Sequence, residues 1–399
     1  MKTAKKSNST ILVLPSWYPS EADTSSGDFI ERHIEAIATQ RNQYVIFVTK
    51  LPSGQLGSEN KKIVPIEGKG FQGQIIYYKS IRTGIPWLDP FLSDRKYIRL
   101  YKQAIKRYFR EAGKPSFIHV HVAQKAGRLA VWAKKKWKIP FLVSEHWTGY
   151  LPEADLKIND FPYWFRNYNR KIIAAADGIT AVSEHLGKAL KHHYPFIKNF
   201  TRIPNVVKLI PISDDRAQEN SVPVFIHAST MGYQKNVEDI LEAMAILKVL
   251  HPNFLLRLFG PSHSGIHAKI RDLGLRDHVR LEGNVPHEQL LKAMTQATAL
   301  IAYSRFETFG CVVIEANAAG IPAIVSDIPV FHELVTDSVN GSFVLGEHPP
   351  ALAQTLEMLL DAKLKFDSSI LQQSAHPYNY EAVGKSFVAV FNQLNSSRG

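Results

Sequence analysis

A single cysteine, Cys311, stands in 399 residues, so no disulfide can form within the chain. That scarcity suits a reducing, cytoplasmic setting. No stretch approaches the roughly 20 apolar residues that span a bilayer. The start, "MKTAKKSNSTILVLPSW", is basic and then apolar. Its apolar part runs only from Ile11 to Leu14 before Pro15, short of the ~7–15 residues of a secretory core, and it reads as a first strand. There is no low-complexity tract and no short-period repeat. Zinc-finger, helix-turn-helix and RNA-binding patterns are also missing, which argues against a nucleic-acid partner.

What is present is enough for two domains, at about 100–200 residues each. Hydrophobic residues make up 45% of the chain, and the formal net charge is +12. The charge is uneven: residues 1–205 hold 33 Lys and Arg against 16 Asp and Glu, and the rest hold 15 against 20. A basic half beside a mildly acidic half points to different partners for each. Short apolar runs alternate with amphipathic stretches. In the first half the runs are "ILVL", "YVIFVT", "QIIYY", "FIHVHV", "PFLVS" and "GITAV"; in the second, "VPVFIHAS", "FLLRLFG", "VRLEG", "ALIAYS" and "PAIVS". Strands separated by helices predict parallel sheets covered on both faces, in two doubly wound Rossmann-like α/β domains. The boundary falls near 204–222, in "IPNVVKLIPISDDRAQENSVP". This gives domains at 1–205 and 206–375. A final helical segment at 376–399 is expected to pack back on the first domain.

Ligands of such sheets bind at the carboxyl ends of the strands, and between two domains that means the cleft. After "ALIAYS" comes "RFETFG" and then an apolar helix. Gly310 lets backbone approach a ligand, and the free amides of a helix start suit phosphate. Glu307 sits in that loop. Glu315 lies about one and a half turns into the helix, on a face where an unpaired charge is costly. A carboxylate there can accept two hydrogen bonds from vicinal ribose hydroxyls. The plainer alternative is a glutamate held in a salt bridge.

The block "YSRFETFGCVVIEANAAGIPAIVSDIPVFHELVTDSVNGSFV" resembles the donor-binding region of the retaining glycosyltransferases of family four, which have the GT-B fold. Glu307 and Glu315 match that family's E-x7-E signature, and Asn340 with Gly341 matches its downstream N-G. The resemblance extends to "PSWYPSEADTSSGDFIERH", "SEHWTGY" and "RIPNVV". It implies a hexosyltransferase that uses a nucleotide diphosphate sugar, needs no cofactor or metal, and serves polysaccharide or glycolipid synthesis. It places Glu307 near the transferred sugar and Glu315 on the ribose. Arg305, Thr308, Phe309, Gly310 and Cys311 then line the donor site. Gly283, Asn284 and Val285, in "LEGNVP", contact the base through main-chain atoms. His146, after "PFLVS", is placed near the donor phosphate and sugar. Glu145 beside it either orients the ring or lines the acceptor site. Lys235 matches a diphosphate-binding lysine, but the family's arginine five residues earlier is Thr230 here. Thr cannot supply a bidentate guanidinium. Either Lys235 and the amides at Gly310 suffice, or another base such as Arg305 substitutes, or the protein binds without turnover. A nucleotide-sugar epimerase of the same fold is the other alternative.

Three features are read without that likeness. Gly27 either brings backbone close to the sugar or the acceptor, or is a turn glycine, and Asp28 with Glu31 looks like a helix cap. His119 and His121 share one face of a strand. No third ligand is evident in the sequence, so they are read as structural or cleft-lining, and no D-x-D lies at a strand end. Finally, "SDRKYIRLYKQAIKRYFR" (93–110) reads as a basic amphipathic helix with Ile98, Tyr101, Ile105, Tyr108 and Phe109 as its stripe, and "KKKWK" (134–138) adds charge. It is either an ordinary surface helix or a peripheral contact for the anionic inner face of a membrane, where a lipid-linked or glycan acceptor would lie.

Overall fold

The computed structural model describes residues 10–23, 26–51, 55–56, 59–209 and 222–396. The basic N-terminal run and most of the anticipated linker lie outside the described residues. The first sheet is built from β1 (Ile11–Pro15), β2 (Gln43–Lys50), β3 (Lys61–Gly68), β4 (Phe71–Tyr78), β5 (Phe117–His121), β6 (Phe141–Glu145), β7 (Gly178–Ala181) and β8 (Thr201–Arg202). Its helices are α1 (Asp28–Ala38), α2 (Leu88–Ala112), α3 (Gln124–Trp137), α4 (Tyr163–Ala175) and α5 (Glu184–His193). The strand order is β3-β4-β2-β1-β5-β6-β7-β8, parallel throughout except for β3 against β4.

The second sheet contains β9 (Val224–Ala228), β10 (Leu255–Phe259), β11 (Val279–Gly283), β12 (Ala299–Ala302), β13 (Ala323–Ser326) and β14 (Gly341–Val344). It is parallel, in the order β11-β10-β9-β12-β13-β14. Around it lie α6 (Val237–Leu250), α7 (Ser264–Asp272), α8 (His287–Met294), α9 (Cys311–Ala318), α10 (Pro349–Leu360) and α11 (Ser368–Ala375). The last helix, α12 (Tyr380–Ser396), lies on α1, where Phe387 and Phe391 join the core formed by Ile30, Ile34 and Val13.

The strands missed by the sequence pattern are edges. β3 reads KKIVPIEG, polar on one face and carrying Pro65, and its burial alternates as an edge strand's should. β8 has two residues and β14 has four. The anticipated cap at α1 is also different. Gly27 occupies the N-cap position in the left-handed region at φ 78°, with no side-chain cap. Asp28 instead pairs with Arg32 at 2.6 Å, and Glu31 accepts from the Tyr18 hydroxyl at 2.7 Å. A Cβ on Gly27 would stand 2.7 Å from the Trp17 carbonyl carbon, so the glycine is required by packing as well as by φ.

In both sheets the chain leaves the middle in one direction and returns on the other side. The reversals fall between β1 and β5 and between β9 and β12. Strand carboxyl ends flanking a reversal leave a crevice, because their loops diverge to opposite faces. Contacts across the cleft join the two domains there. Arg32 on α1 reaches Glu315 on α9 at 2.7 Å and the Val206 carbonyl at 3.3 Å. Glu333 accepts from the first two amides of α5, Glu184 and His185, at 2.8 Å each, and pairs with Arg202 at 3.0 Å. A carboxylate on a helix start is favourable with the helix dipole.

Five buried histidines, His33, His119, His121, His146 and His227, are held below the usual 6.5, chiefly by burial. A folded-state pKa below the unfolded value means that the unfolded chain binds more protons as pH falls below 6.5. Stability should therefore be full above that pH and fall by about 1.4 kcal/mol per pH unit for each histidine that stays neutral. Urea midpoints measured from about pH 7 down to about pH 5 check this, and a flat profile would contradict it.

Candidate functional site

The loops after β9 and β12 are zipped together. The Arg305 amide donates to the Gln234 carbonyl at 2.8 Å, and the Gln234 side-chain amide donates to the Phe306 carbonyl at 3.0 Å. Buried His227 braces the first loop from below, with Nδ1 2.8 Å from the Ile301 carbonyl and Nε2 2.7 Å from Ser229 Oγ. This register sets Lys235 Nζ on Glu307 Oε1 as an ion pair, and Ser304 Oγ donates to the same oxygen at 3.1 Å. The two residues lie 72 positions apart in sequence, and the β9–β12 reversal unites them.

Gly310 follows in the left-handed region at φ 93°, and a Cβ there would come within 2.7 Å of the Phe331 ring. The chain then enters α9, whose first amides have no intrahelical partners. Cys311 sits at that start, and burial pushes its thiol up to about 12, so it is no thiolate. Phe309 is buried and Thr308 half-buried.

Glu315 is buried and paired. Its Oε1 accepts from Arg32 at 2.7 Å and lies 3.0 Å from His287 Nε2, and neither contact uses Oε2. Burial alone would raise its pKa. The His287 hydrogen bond and the Arg32 charge outweigh that and bring it to about 2. The carboxylate is therefore ionised throughout the physiological range. The salt-bridged reading of this glutamate is thus realised, with a partner from the other domain. Neither Arg32 nor His287 was singled out from the sequence. Each carries a sequence signal only in hindsight: Arg32 lies within "GDFIERH", and His287 directly follows "LEGNVP".

Other predicted residues fall as follows. Thr230 is exposed in the loop after β9. Arg305 stacks 4.3 Å from the Tyr233 ring centroid, donates to the Tyr233 carbonyl at 2.6 Å and pairs with Glu347 at 2.8 Å. Its charge is thus engaged on the outer side of the loop. Gly283 has φ 69° and open space beside it, Asn284 is exposed and Val285 half-buried. Asn340 is a lock for the loop around it: its Nδ2 donates to Asn317 Oδ1 at 3.0 Å and to the Leu334 carbonyl at 2.9 Å.

Glu145 takes a different part from either anticipated one. It is fully buried, with Oε1 accepting from the Ala123 amide at 2.7 Å and Oε2 from the His146 amide at 3.3 Å. It braces the backbone at the ends of β5 and β6, and burial raises its pKa to about 7. His146 packs 4.9 Å from the Phe29 ring centroid. Burial holds it well below its ordinary range, so it is a neutral imidazole.

The basic stretches and the exposed aromatics separate. Over its middle, α2 turns Tyr97, Leu100, Tyr101, Ala104, Ile105 and Tyr108 into the core, which is the ordinary surface-helix arrangement. Its start is different: Trp87 is 77% exposed and Phe91 is exposed. The start of α4 adds exposed Tyr163 and Trp164. Both helices begin at the carboxyl-end rim. The run 134–138 closes α3, at the opposite end of the sheet, where Lys134 pairs with Asp177 at 2.8 Å. It adjoins the far half of α2, where Trp137 meets Phe109 at 4.8 Å and Lys102 and Lys136 both stand over the Trp132 ring, and it is separate only from the exposed aromatics. Among the described residues no helix is long and apolar enough to cross a membrane.

Comparison with known proteins agrees with this architecture. Residues 30–209 match the family model described as Glycosyltransferase Family 4, and residues 212–375 match that described as Glycosyl transferases group 1. A D-inositol 3-phosphate glycosyltransferase of Frankia alni is 23% identical over 276 residues, covering 63% of this chain and 67% of the relative. The GDP-mannose:cellobiosyl-diphosphopolyprenol alpha-mannosyltransferase of Xanthomonas campestris is 28% identical over 237 residues, covering 55% of this chain and 58% of the relative. The chain thus spans only about three fifths of the length of most of the curated relatives it matches. Sucrose-phosphate synthase from Thermosynechococcus elongatus shares the fold with a TM-score of 0.76, at 20% identity over 97% of this chain and 99% of its own. Anabaena HepE in complex with UDP does so with a TM-score of 0.69, at 17% identity over 96% and 99%.

The Arg32–Glu315 pair generates a direct prediction. Arg32→Ala leaves a buried carboxylate with only His287, and should cost about 3 kcal/mol in urea unfolding. The double variant with Glu315→Gln should recover part of that loss. A cost under about 1 kcal/mol would class the pair with exposed ones.

Proposed function

Because the chain belongs to the family four glycosyltransferases of the GT-B fold, we propose that it transfers a hexosyl group from a nucleotide diphosphate sugar to a glycan or lipid-linked acceptor, with retention at the anomeric carbon. One observation carries the reading. Lys235, Glu307, the α9 start and Glu315 converge at the β9–β12 reversal, where such a sheet binds its ligand. Support from relatives is of the same kind, since their names describe glycosyl and mannosyl transfer and one neighbour holds UDP.

In this reading residues 1–205 bind the acceptor and 206–375 the donor, while the last helix, α12, packs back on the first domain. The diphosphate lies at the amides of α9 beside Lys235, which offsets the charge that develops as the glycosidic bond to phosphate breaks. Glu315, kept ionised by Arg32 and His287, accepts the ribose hydroxyls through Oε2. The loop from Gly283 to Val285 borders the base. Glu307 is already neutralised by Lys235 and bonded by Ser304, which suits a carboxylate that positions the sugar rather than one that attacks it. His146 stands behind the sugar side as a buried, neutral imidazole. Thr230 leaves the diphosphate with one cation fewer, and the α9 amides take the larger share.

The acceptor rim favours a membrane-bound acceptor. Trp87, Phe91, Tyr163 and Trp164 stand exposed at the starts of α2 and α4. The two groups are joined by Trp164 on Tyr168 at 5.8 Å, Arg128 over Tyr168 at 5.4 Å, and Arg128 paired with Asp94 at 2.7 Å. Interfacial aromatics on a basic domain suit an anionic lipid surface.

A thermal-shift screen with UDP, GDP, ADP and their common sugars tests the donor site. One nucleotide should stabilise the native chain and fail to stabilise Glu315→Gln; no shift with any nucleotide would contradict the reading. With the donor known, Lys235→Ala should lower kcat/KM by about 10²-fold or more, and proton NMR of the first product should show the donor's anomeric configuration. An inverted product would refute retention. Co-sedimentation with anionic vesicles should weaken in a Trp87→Ser, Trp164→Ser double variant and with added salt.

A further inference from the structure

Four histidines meet beneath the cleft. His33 comes from α1, His119 and His121 from β5, and His146 directly follows β6. All are buried. Only the β5 pair was visible in the sequence, where no third ligand could be found. The fold supplies two more, from elements distant along the chain.

The ring centroids of His33, His121 and His146 form a nearly equilateral triangle, with sides of 5.3, 5.5 and 5.7 Å. One ring nitrogen from each lies within 4.8 Å of the others. Imidazoles on a single tetrahedral ion at about 2.0–2.1 Å put their donor atoms roughly 3.3 Å apart. His121 Nδ1 and His146 Nε2 already face each other at 3.3 Å as a hydrogen-bonded pair, and an ion would take the place of the proton between them. His33 Nε2 lies 3.0 Å from the Pro204 carbonyl, which fixes the proton on that nitrogen. Its Nδ1 is then a bare lone pair, buried and without a hydrogen-bond partner. A ligating histidine shows this same arrangement, with the far N–H donated to a carbonyl and the near nitrogen left for the ion.

We propose that His33, His121 and His146 form a site for a divalent transition-metal ion of the zinc and cobalt class, with a fourth position open to water. An all-imidazole set suits zinc, cobalt, nickel or copper rather than magnesium or calcium. The rings would coordinate as neutral imidazoles. Compensating charge is close by in Glu145, whose Oε2 accepts from the His146 amide. His119 backs the site, 4.0 Å from the His121 ring centroid and 2.8 Å from Ser144 Oγ. The ion would tie α1 to β5 and to the end of β6, below the acceptor side of the cleft.

The test uses the full chain, stripped with a chelator, loaded with Co²⁺ and desalted. About one ion per chain should be retained, with the visible ligand-field bands of a four-coordinate site. His33→Asn and His121→Asn, checked for folding by circular dichroism, should each weaken retention at least roughly tenfold. His251→Ala should leave the bands unchanged; it disrupts a more exposed grouping of His251, Glu357 and Asp361 that can also bind metal. Zinc X-ray absorption on the unaltered chain needs no variant, and should count three imidazoles. No retained ion, bands that survive His33→Asn, bands lost in His251→Ala, or fewer than three imidazoles would each overturn the assignment.

Discussion

The ion pair between Arg32 and Glu315 is the constraint on which the rest of the cleft depends. Arg32 belongs to the first helix of one domain and Glu315 to a buried helix of the other, 283 residues later. Two charges in so dry a place are unfavourable unless each is paired and further hydrogen-bonded. Here Arg32 also meets Asp28 and the Val206 carbonyl, and Glu315 also meets His287. The pair thus fixes the relation of α1, α8, α9 and the crossing strand of chain near Val206. Glu333, seated on the start of α5 and on Arg202, makes a second link of the same kind.

From this follows the chemistry of the cleft. A carboxylate held at a pKa of about 2 is a permanent acceptor, and no proton has to leave before it can receive a hydroxyl. The loops above it are equally preset. His227 and Gln234 fix the turn that carries Lys235, and Ser304 orients Glu307 beneath it. Preorganised charge of this sort is what transition-state stabilisation requires, since groups already aimed need no reorganisation as charge develops.

Much of this was legible in the sequence, for a physical reason. Buried parallel strands are near-continuous apolar runs, so β1, β2, β5, β6, β9, β10, β12 and β13 announce themselves. Loops after such strands are where ligands bind, and Glu307, Gly310, Glu315 and Lys235 all stand in or just after them. What escaped was of two kinds. Edge strands such as β3 are half polar and lack the apolar run. Partners contributed by remote elements leave no local pattern at all: nothing in "ERHIEA" says that Arg32 meets Glu315 or that His33 meets His121 and His146. The basic helix takes the surface-helix arrangement, one of its two readings, with its stripe in the core, while the exposed aromatics that precede the charged run belonged to neither.

The account's central claim is that Glu315, ionised and aimed by Arg32 and His287, is there to receive the ribose. Calorimetric titration of the preferred nucleoside diphosphate and its 2′,3′-dideoxy counterpart, on the native chain and on Glu315→Gln, measures that coupling directly. Removing the hydroxyls should weaken binding to the native chain by about tenfold or more and change binding to Glu315→Gln far less. Equal losses in both proteins would mean that the hydroxyls are read elsewhere, and that the buried carboxylate serves only to join the domains.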